Sequence, residues 1–217
     1  MIKNIVFDMG GVLIEWNPAR IITRLELPEE DGQLLRREVF SGVEWVMLDR
    51  GSLTEAEAME RMRKRLPQRL HGAVERCVYW WKEELWPIRG MAELIAELDA
   101  LGNGIYLLSN ATSALHEYFS RIPGSEYFRG MLVSADWKLL KPQREIFEKL
   151  FSELGLERAE CLFIDDYAPN IEGAGVAGMD GIVFFRDLAR LRQDLRDRGV
   201  PVKETMIKSA RANPERI

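Results

Sequence analysis

Cysteine is scarce in this chain: its 217 residues include two, Cys77 and Cys161. They fall in unrelated segments, with neither metal-ligand spacing nor the numbers for a disulfide framework. They read as two buried thiols in a reducing cytoplasm. Long apolar runs are missing too. No stretch approaches the roughly 18 uninterrupted apolar residues of a membrane-spanning helix. The opening MIKNIVFDMGG lacks the apolar run and cleavage site of a secretory signal. The expected location is therefore cytoplasmic, with no membrane partner, and the glycosylation-like Asn110-Ala-Thr112 is set aside. Nor is there an excess of positive charge. Lys and Arg number 30 against 35 Asp and Glu, a net charge of −5, and with a pI near 5.3 no nucleic-acid partner is expected. No internal repeat is visible. What remains is 47% hydrophobic and 30% charged, the profile of a globular chain with room for one substantial core and a smaller unit.

Five short apolar runs read as strands: Ile2–Phe7, Gly104–Leu108, Gly130–Ser134, Cys161–Ile164 and Gly181–Phe185. They lack polar alternation, so both faces should be buried, as in a parallel sheet. Helical stripes lie between them. Met91, Leu94, Ile95, Leu98 and Leu101 form one, and Ile146, Phe147, Leu150, Phe151 and Leu154 another, with Pro142 placed to open the second helix. Leu188, Leu191 and Leu195 predict a last helix before Gly199-Val200-Pro201. This alternation predicts an α/β, Rossmann-like, doubly wound parallel sheet over residues 1–14 and 88–200, with a ligand crevice beyond the carboxyl ends of the strands. Residues 201–217 are expected to form a C-terminal, mobile tail. Residues 15–87 break the alternation, being too long for a loop and showing helix signals alone, so they predict an inserted small α-helical unit. Within it Thr54 and Glu57 form a capping box for a helix running toward Leu66 and Pro67, and Pro28 and Gly51 mark breaks.

The chemistry-bearing residues stand at the ends of these strands. Ile5-Val6-Phe7 delivers Asp8 to a strand end beside Gly10 and Gly11, where a carboxylate can attack and the backbone can approach a phosphate closely. By itself Asp8 is equally a turn residue. The second strand ends in Ser109-Asn110, a hydroxyl and an amide that either bind phosphate oxygens or cap a helix. Lys141, before Pro142, can reach inward as a point charge, with the nearby Lys138 as a competitor. The fourth strand ends in Asp165-Asp166, followed by Asn170. Adjacent carboxylates after a buried strand need a counter-cation, for which Mg²⁺ is the natural hard ion. In a sheet of adjacent strands these ends converge on one crevice.

Phe7-Asp8-Met9-Gly10-Gly11-Val12, Leu108-Ser109-Asn110, Lys141-Pro142 and Ile164-Asp165-Asp166 with Asn170 resemble the four ordered motifs of the haloacid dehalogenase-like hydrolase superfamily. The likeness spans about residues 1–185. The insertion between the first two motifs resembles the helical cap of the subgroup that includes sugar-phosphate phosphatases and the phosphatase domain of epoxide hydrolase. The resemblance implies a magnesium-dependent hydrolase of small phosphorylated metabolites, with Asp8 forming an aspartyl-phosphate. It further implies that Asp8, the Gly10 carbonyl and Asp166 hold the metal with help from Asp165, and that Ser109, Asn110 and Lys141 hold phosphate oxygens. Two alternatives stay open: a metal-independent dehalogenase on the same fold, and a catalytically weak binding or regulatory protein.

One departure bears on mechanism. The family's phosphatases commonly carry a second Asp two positions after the nucleophile, as general acid, and here that position is Gly10. Such groups contribute roughly 10²–10⁴-fold, so substrates with acidic leaving groups are expected to be favoured. The insertion is also rich in large rings. Trp16, Trp45, Tyr79, Trp80, Trp81 and Trp86 are expected to pack within it, Trp16 and Trp45 being placed to wall the site. His71 is expected to be exposed, and His116 and Tyr118 to stand outside the phosphate shell.

Overall fold

A computed structural model describes residues 1–83 and 85–204; the side chains of Trp80 and Trp81 fall outside the description. Its frame is a five-stranded, all-parallel sheet in the order β3-β2-β1-β4-β5. The strands are β1 Asn4–Phe7, β2 Gly104–Ser109, β3 Phe128–Val133, β4 Cys161–Asp165 and β5 Asp180–Val183. Every expected strand is present, with ends shifted by a residue or two. Ser134, expected in the third strand, instead opens a short helix.

The helices follow the chain. Five lie between β1 and β2 in the insertion: α1 Pro18–Thr23, α2 Glu29–Leu35, α3 Val43–Asp49, α4 Glu55–Arg65 and α5 His71–Glu75. Next come α6 Met91–Ala100, α7 Leu115–Tyr118, α8 Ser134–Trp137, α9 Arg144–Leu154, α10 Ala168–Val176 and α11 Leu188–Asp197. Alternating residues of the central strand explain the double winding. Ile5 and Phe7 pack with Leu94, Leu98, Leu191 and Leu195 of α6 and α11 on one face. Val6 faces the other way, onto Ile146, Phe147, Leu150 and Ala174 of α9 and α10. Truncating one such buried leucine to alanine costs about 2–5 kcal/mol.

The insertion has an apolar cluster of its own, with Leu35, Val39, Leu48, Met62, Leu70 and Val74 at its centre. Chain entry and exit are joined by Glu15 N–H donating to the Trp86 carbonyl and Ile88 N–H to that of Leu13. The capping box is formed: Glu57 N–H donates to Thr54 Oγ1 at 3.2 Å and Thr54 N–H to Glu57 Oε2 at 2.9 Å.

Three expectations need correction. Pro142 does not open α9; it follows Lys141 through a cis peptide bond and lies two residues ahead of that helix. His71 is half-buried rather than exposed, its Nε2 lying 3.1 and 3.2 Å from the Arg63 and Leu66 carbonyls at the end of α4. The tail does not begin at 201. Val202 is buried, and Lys203 is fixed by its N–H to Glu97 and its carbonyl to Arg192. Residues 205–217 lie outside the described residues. The two cysteines are free and buried as expected.

Candidate active site

β1 stops at Phe7, but its ladder continues for one more bond, Asp8 N–H to the Ile164 carbonyl at 2.9 Å. This fixes the Asp8 backbone at the carboxyl edge of the sheet, beside the ends of β2 and β4. Lys141 is the hub of that edge. Its Nζ donates to Asp8 Oδ1 at 2.7 Å, to Asp165 Oδ2 at 2.7 Å and to the Leu108 carbonyl at 2.9 Å. The ammonium's three protons are thereby matched by three acceptors. Lys138, the competitor, is exposed at the end of α8.

Asp165 is fully buried, and both its oxygens are engaged. Besides Lys141 it accepts from the Tyr167 N–H at 2.8 Å and from Asn170 Nδ2 at 3.1 and 3.0 Å. Asp165 therefore already has one cation beside it, Lys141. Asp166 is exposed and packs onto the loop after β1. A Cβ at Gly11, whose φ is +81°, would fall 2.0 Å from Asp166 Oδ2, so glycine is required there. Oxygen atoms of Asp8, Asp165 and Asp166 lie within 4.8 Å of one another. Among the described residues no backbone N–H reaches the Gly10 carbonyl.

Ser109 closes β2, lines the cavity, and carries no side-chain hydrogen bond among the described residues. Asn110 behaves differently. Its Oδ1 accepts from the Lys141 N–H at 2.9 Å and its Nδ2 donates to the Lys141 carbonyl at 3.1 Å. That side-chain amide clasps the lysine's own peptide, which aims Lys141 inward. His116 pairs with Asp136 in an exposed contact, and Tyr118 is buried with its hydroxyl 3.8 Å from Met9 Sδ. Both stand away from the cavity lining.

Electrostatically the edge is short of positive charge. Burial pushes the Asp8 carboxyl up to about 7; Lys141 opposes this, and Asp165 adds to it. Asp166 is also raised, by burial and by its neighbour Asp165. Lys141 is raised despite its burial, because Asp8 and Asp165 hold its proton.

These groups open into a cavity of about 230 Å³. The core supplies Asp8, Gly10, Ser109, Asn110, Thr112, Lys141 and Asn170. The insertion supplies Trp16, Trp45, Leu48, Asp49, Glu55, Val78 and Lys82. Trp16 and Trp45 wall the site as expected, with ring centroids 5.3 Å apart and both packed on Phe40. Trp86 is elsewhere, under the Arg20 guanidinium at 4.2 Å, and Tyr79 packs on the insertion's own cluster. Sequence reasoning missed Asp49, Glu55 and Lys82. Asp49 did leave a signal, since it is the last residue of α3, where the negative end of the helix dipole disfavours a carboxylate.

The sequence model of the haloacid dehalogenase-like hydrolase family matches residues 2–178, and the chain belongs to that family. As a member of that family it is a hydrolase. A sesquiterpene phosphatase of Aspergillus oryzae is 27% identical over 189 residues, covering 86% of this chain and 92% of the relative. A flavin mononucleotide hydrolase of Arabidopsis thaliana is 30% identical over 113 residues, 52% of this chain and 46% of that protein. Among solved structures, a HAD family enzyme of Bacteroides thetaiotaomicron in complex with magnesium is 25% identical with a TM-score of 0.67, covering 88% of this chain and 98% of that one. The same enzyme has been solved with magnesium and inorganic phosphate. No helix among the described residues is long and apolar enough to cross a membrane.

Proposed function

We propose that the protein is a magnesium-dependent phosphatase of small phosphorylated metabolites, working through an aspartyl-phosphate on Asp8. The observation that carries this reading is the convergence of Asp8, Lys141 and Ser109 on one cavity at the carboxyl edge of the sheet, with an Asp166 oxygen within 4.8 Å of one of Asp8. Asp8 attacks phosphorus, and the ammonium of Lys141 offsets the repulsion between two anions as they meet. The Ser109 hydroxyl, which is free of other side-chain hydrogen bonds among the described residues, takes a phosphate oxygen.

The residues present fit a magnesium ion. Asp8, Asp166 and the Gly10 carbonyl are hard oxygen donors, and among the described residues Asp166 is the member of its pair whose carboxyl takes no donor from another residue. Asp165 acts through Lys141 and the turn at Tyr167. When bound, the ion supplies charge stabilisation to the transferring phosphoryl group. We read residues 15–87 as a cap that closes the cavity from water. Its apolar wall of Trp16, Trp45, Leu48 and Val78 favours substrates whose phosphate is carried on an apolar or planar organic part.

A phosphate-release screen over phosphorylated metabolites, with and without Mg²⁺, tests this. Turnover that requires Mg²⁺ and disappears in Asp8→Asn is the expected result. Turnover of a halogenated acid, with none of any phosphate ester, would replace the reading with the dehalogenase one.

A further inference from the structure

Gly10 leaves the core without a proton donor beside the nucleophile, and expelling an alkoxide from phosphorus without a proton is slow. The acid has to come from another wall of the cavity. Among the described residues five ionisable side chains line it: Asp8, Lys141, Asp49, Glu55 and Lys82. Asp8 is spent as nucleophile. Lys141 has its three protons committed to Asp8, Asp165 and the Leu108 carbonyl. Glu55 and Lys82 face each other at 3.8 Å, and Lys82 also faces Glu117 at 3.8 Å.

Asp49 is left. Among the described residues no donor bonds its carboxyl, although it lies within electrostatic reach of Asp8 and Lys141. Its backbone is held firmly. Ser134 Oγ, which also receives the Ala111 N–H at 2.9 Å, donates to the Asp49 carbonyl at 2.5 Å. Two residues on, Gly51 has a φ of +69° and sits so close to the core that a Cβ there would lie 2.3 Å from the Ala135 carbonyl oxygen. The end of α3 is thus pinned against the core, with an unpaired carboxyl in the cavity.

We propose that Asp49, carried by the insertion, is the general acid and base of the reaction, in place of the acid that Gly10 lacks. This rests on the phosphatase reading above. In the first half, an Asp8 oxygen bonds to phosphorus, and the phosphorus–oxygen bond to the leaving group breaks with its electron pair on oxygen. The Asp49 proton moves to that oxygen, giving alcohol, aspartyl-phosphate and Asp49 carboxylate. In the second half, that carboxylate takes a proton from water as the water oxygen bonds to phosphorus. The bond to Asp8 then breaks, which returns Asp8 as carboxylate, Asp49 as acid and releases phosphate. Burial, and next the charge of Asp8, hold the Asp49 carboxyl well above the usual carboxylate range, with Lys141 opposing. That direction suits a group that starts the cycle protonated.

The test is kcat/KM over aryl and alkyl phosphates of graded leaving-group pKa, in wild type, Asp49→Asn and Asp49→Asn with Gly10→Asp. The second aspartate fits, because a Cβ at Gly10 lies 3.4 Å from Trp16 Cβ, ordinary contact. The wild type should depend only weakly on leaving-group pKa. Asp49→Asn should lose about 10²–10⁴-fold on alkyl phosphates, with little loss on the most acidic aryl leaving groups. Gly10→Asp should restore part of that loss. A uniform loss across the series, uncorrected by Gly10→Asp, would assign Asp49 a merely structural role and overturn the proposal, as would no loss at all. A wild type inactive on every phosphate ester would instead sink the phosphatase reading, and this assignment with it.

Discussion

The two walls of the cavity are held by different physics. On the sheet side, charge is fixed by charge: Lys141 is bonded to Asp8, Asp165 and the Leu108 carbonyl, and Asn110 clasps the lysine's peptide from both sides. On the insertion side, stacked rings, looser ion pairs of Lys82 with Glu55 and Glu117 and the Ser134 hydroxyl hold the wall, and among the described residues no donor bonds the Asp49 carboxyl. A rigid, preorganised edge suits groups that must meet a phosphoryl transition state without rearranging. A wall carried by a separate apolar cluster can change its side chains, and with them the substrate, without disturbing that edge.

The strongest way to break this comparison is to remove charge from the fixed edge. Asp8→Asn should abolish turnover, since an amide cannot attack, yet it should raise thermal stability in metal-free buffer. The sign follows from Asp8 being pushed up to about 7 by burial against its ordinary 3.8. Between those values the folded protein binds more protons than the unfolded chain. The stability this group contributes is present below about pH 4 and is lost as pH rises through 7. The gain in Tm should therefore be larger at pH 8 than at pH 5, and Mg²⁺ should narrow it. A variant less stable than wild type at pH 8 without metal would mean that the Lys141 bond outweighs the burial of Asp8.

Lys141→Met should give the largest loss of stability. It leaves two buried carboxylates without their cation, a change costing about 3–5 kcal/mol where a buried pair is broken. Denaturant unfolding at neutral pH measures it, and acidification should recover part of the loss as Asp8 and Asp165 take up protons.

Asp165 and Asp166 sharpen the contrast within one dipeptide. Asp165→Asn should lower Tm in metal-free buffer, because its oxygens receive Lys141, Asn170 and the Tyr167 N–H. Asp166→Asn should leave metal-free Tm nearly unchanged while weakening Mg²⁺ binding in calorimetric titration. The reverse pattern would exchange their roles.

These side chains also show how far the sequence could be read. All five strands were visible because buried parallel strands are runs of apolar residues, and the ends of those runs pointed to Asp8, Ser109 and Asp165. Lys141 was legible as a candidate, yet its position on a loop ahead of α9 was not, since a proline before an apolar stripe resembles a first-turn proline. His71 was misjudged because its partners, the carbonyls ending α4, are backbone groups that no side-chain pattern reports, and the bonds of Asn110 to the Lys141 peptide were hidden for the same reason. Asp49 was missed for a related reason. What makes it notable is proximity across the cavity, and the insertion's helices have no regular sheet to predict what faces what.

The smallest effect is expected at Thr54, and it asks whether the two regions fold as one. Thr54 caps α4 through the reciprocal bonds with Glu57, and Glu57 is held below the usual carboxylate range by the Thr54 N–H and hydroxyl. Thr54→Ala removes the hydroxyl, leaves the Glu57 N–H to water and costs about 1 kcal/mol. In a cooperative chain of this size that is roughly 2–4 °C in Tm within a single transition. The neighbouring Glu55 lines the cavity and faces Lys82, so fraying at this cap would loosen the insertion's wall while leaving the Lys141 hub intact. Scanning calorimetry together with hydrogen exchange distinguishes the cases. One shifted transition, with exchange rising in both regions, means that the pinning through Ser134 and Gly51 couples the insertion to the sheet. An early transition confined to α4 and its neighbours, with the sheet unmoved, would mean that the apolar cluster of the insertion melts by itself and that the two walls are thermodynamically separate.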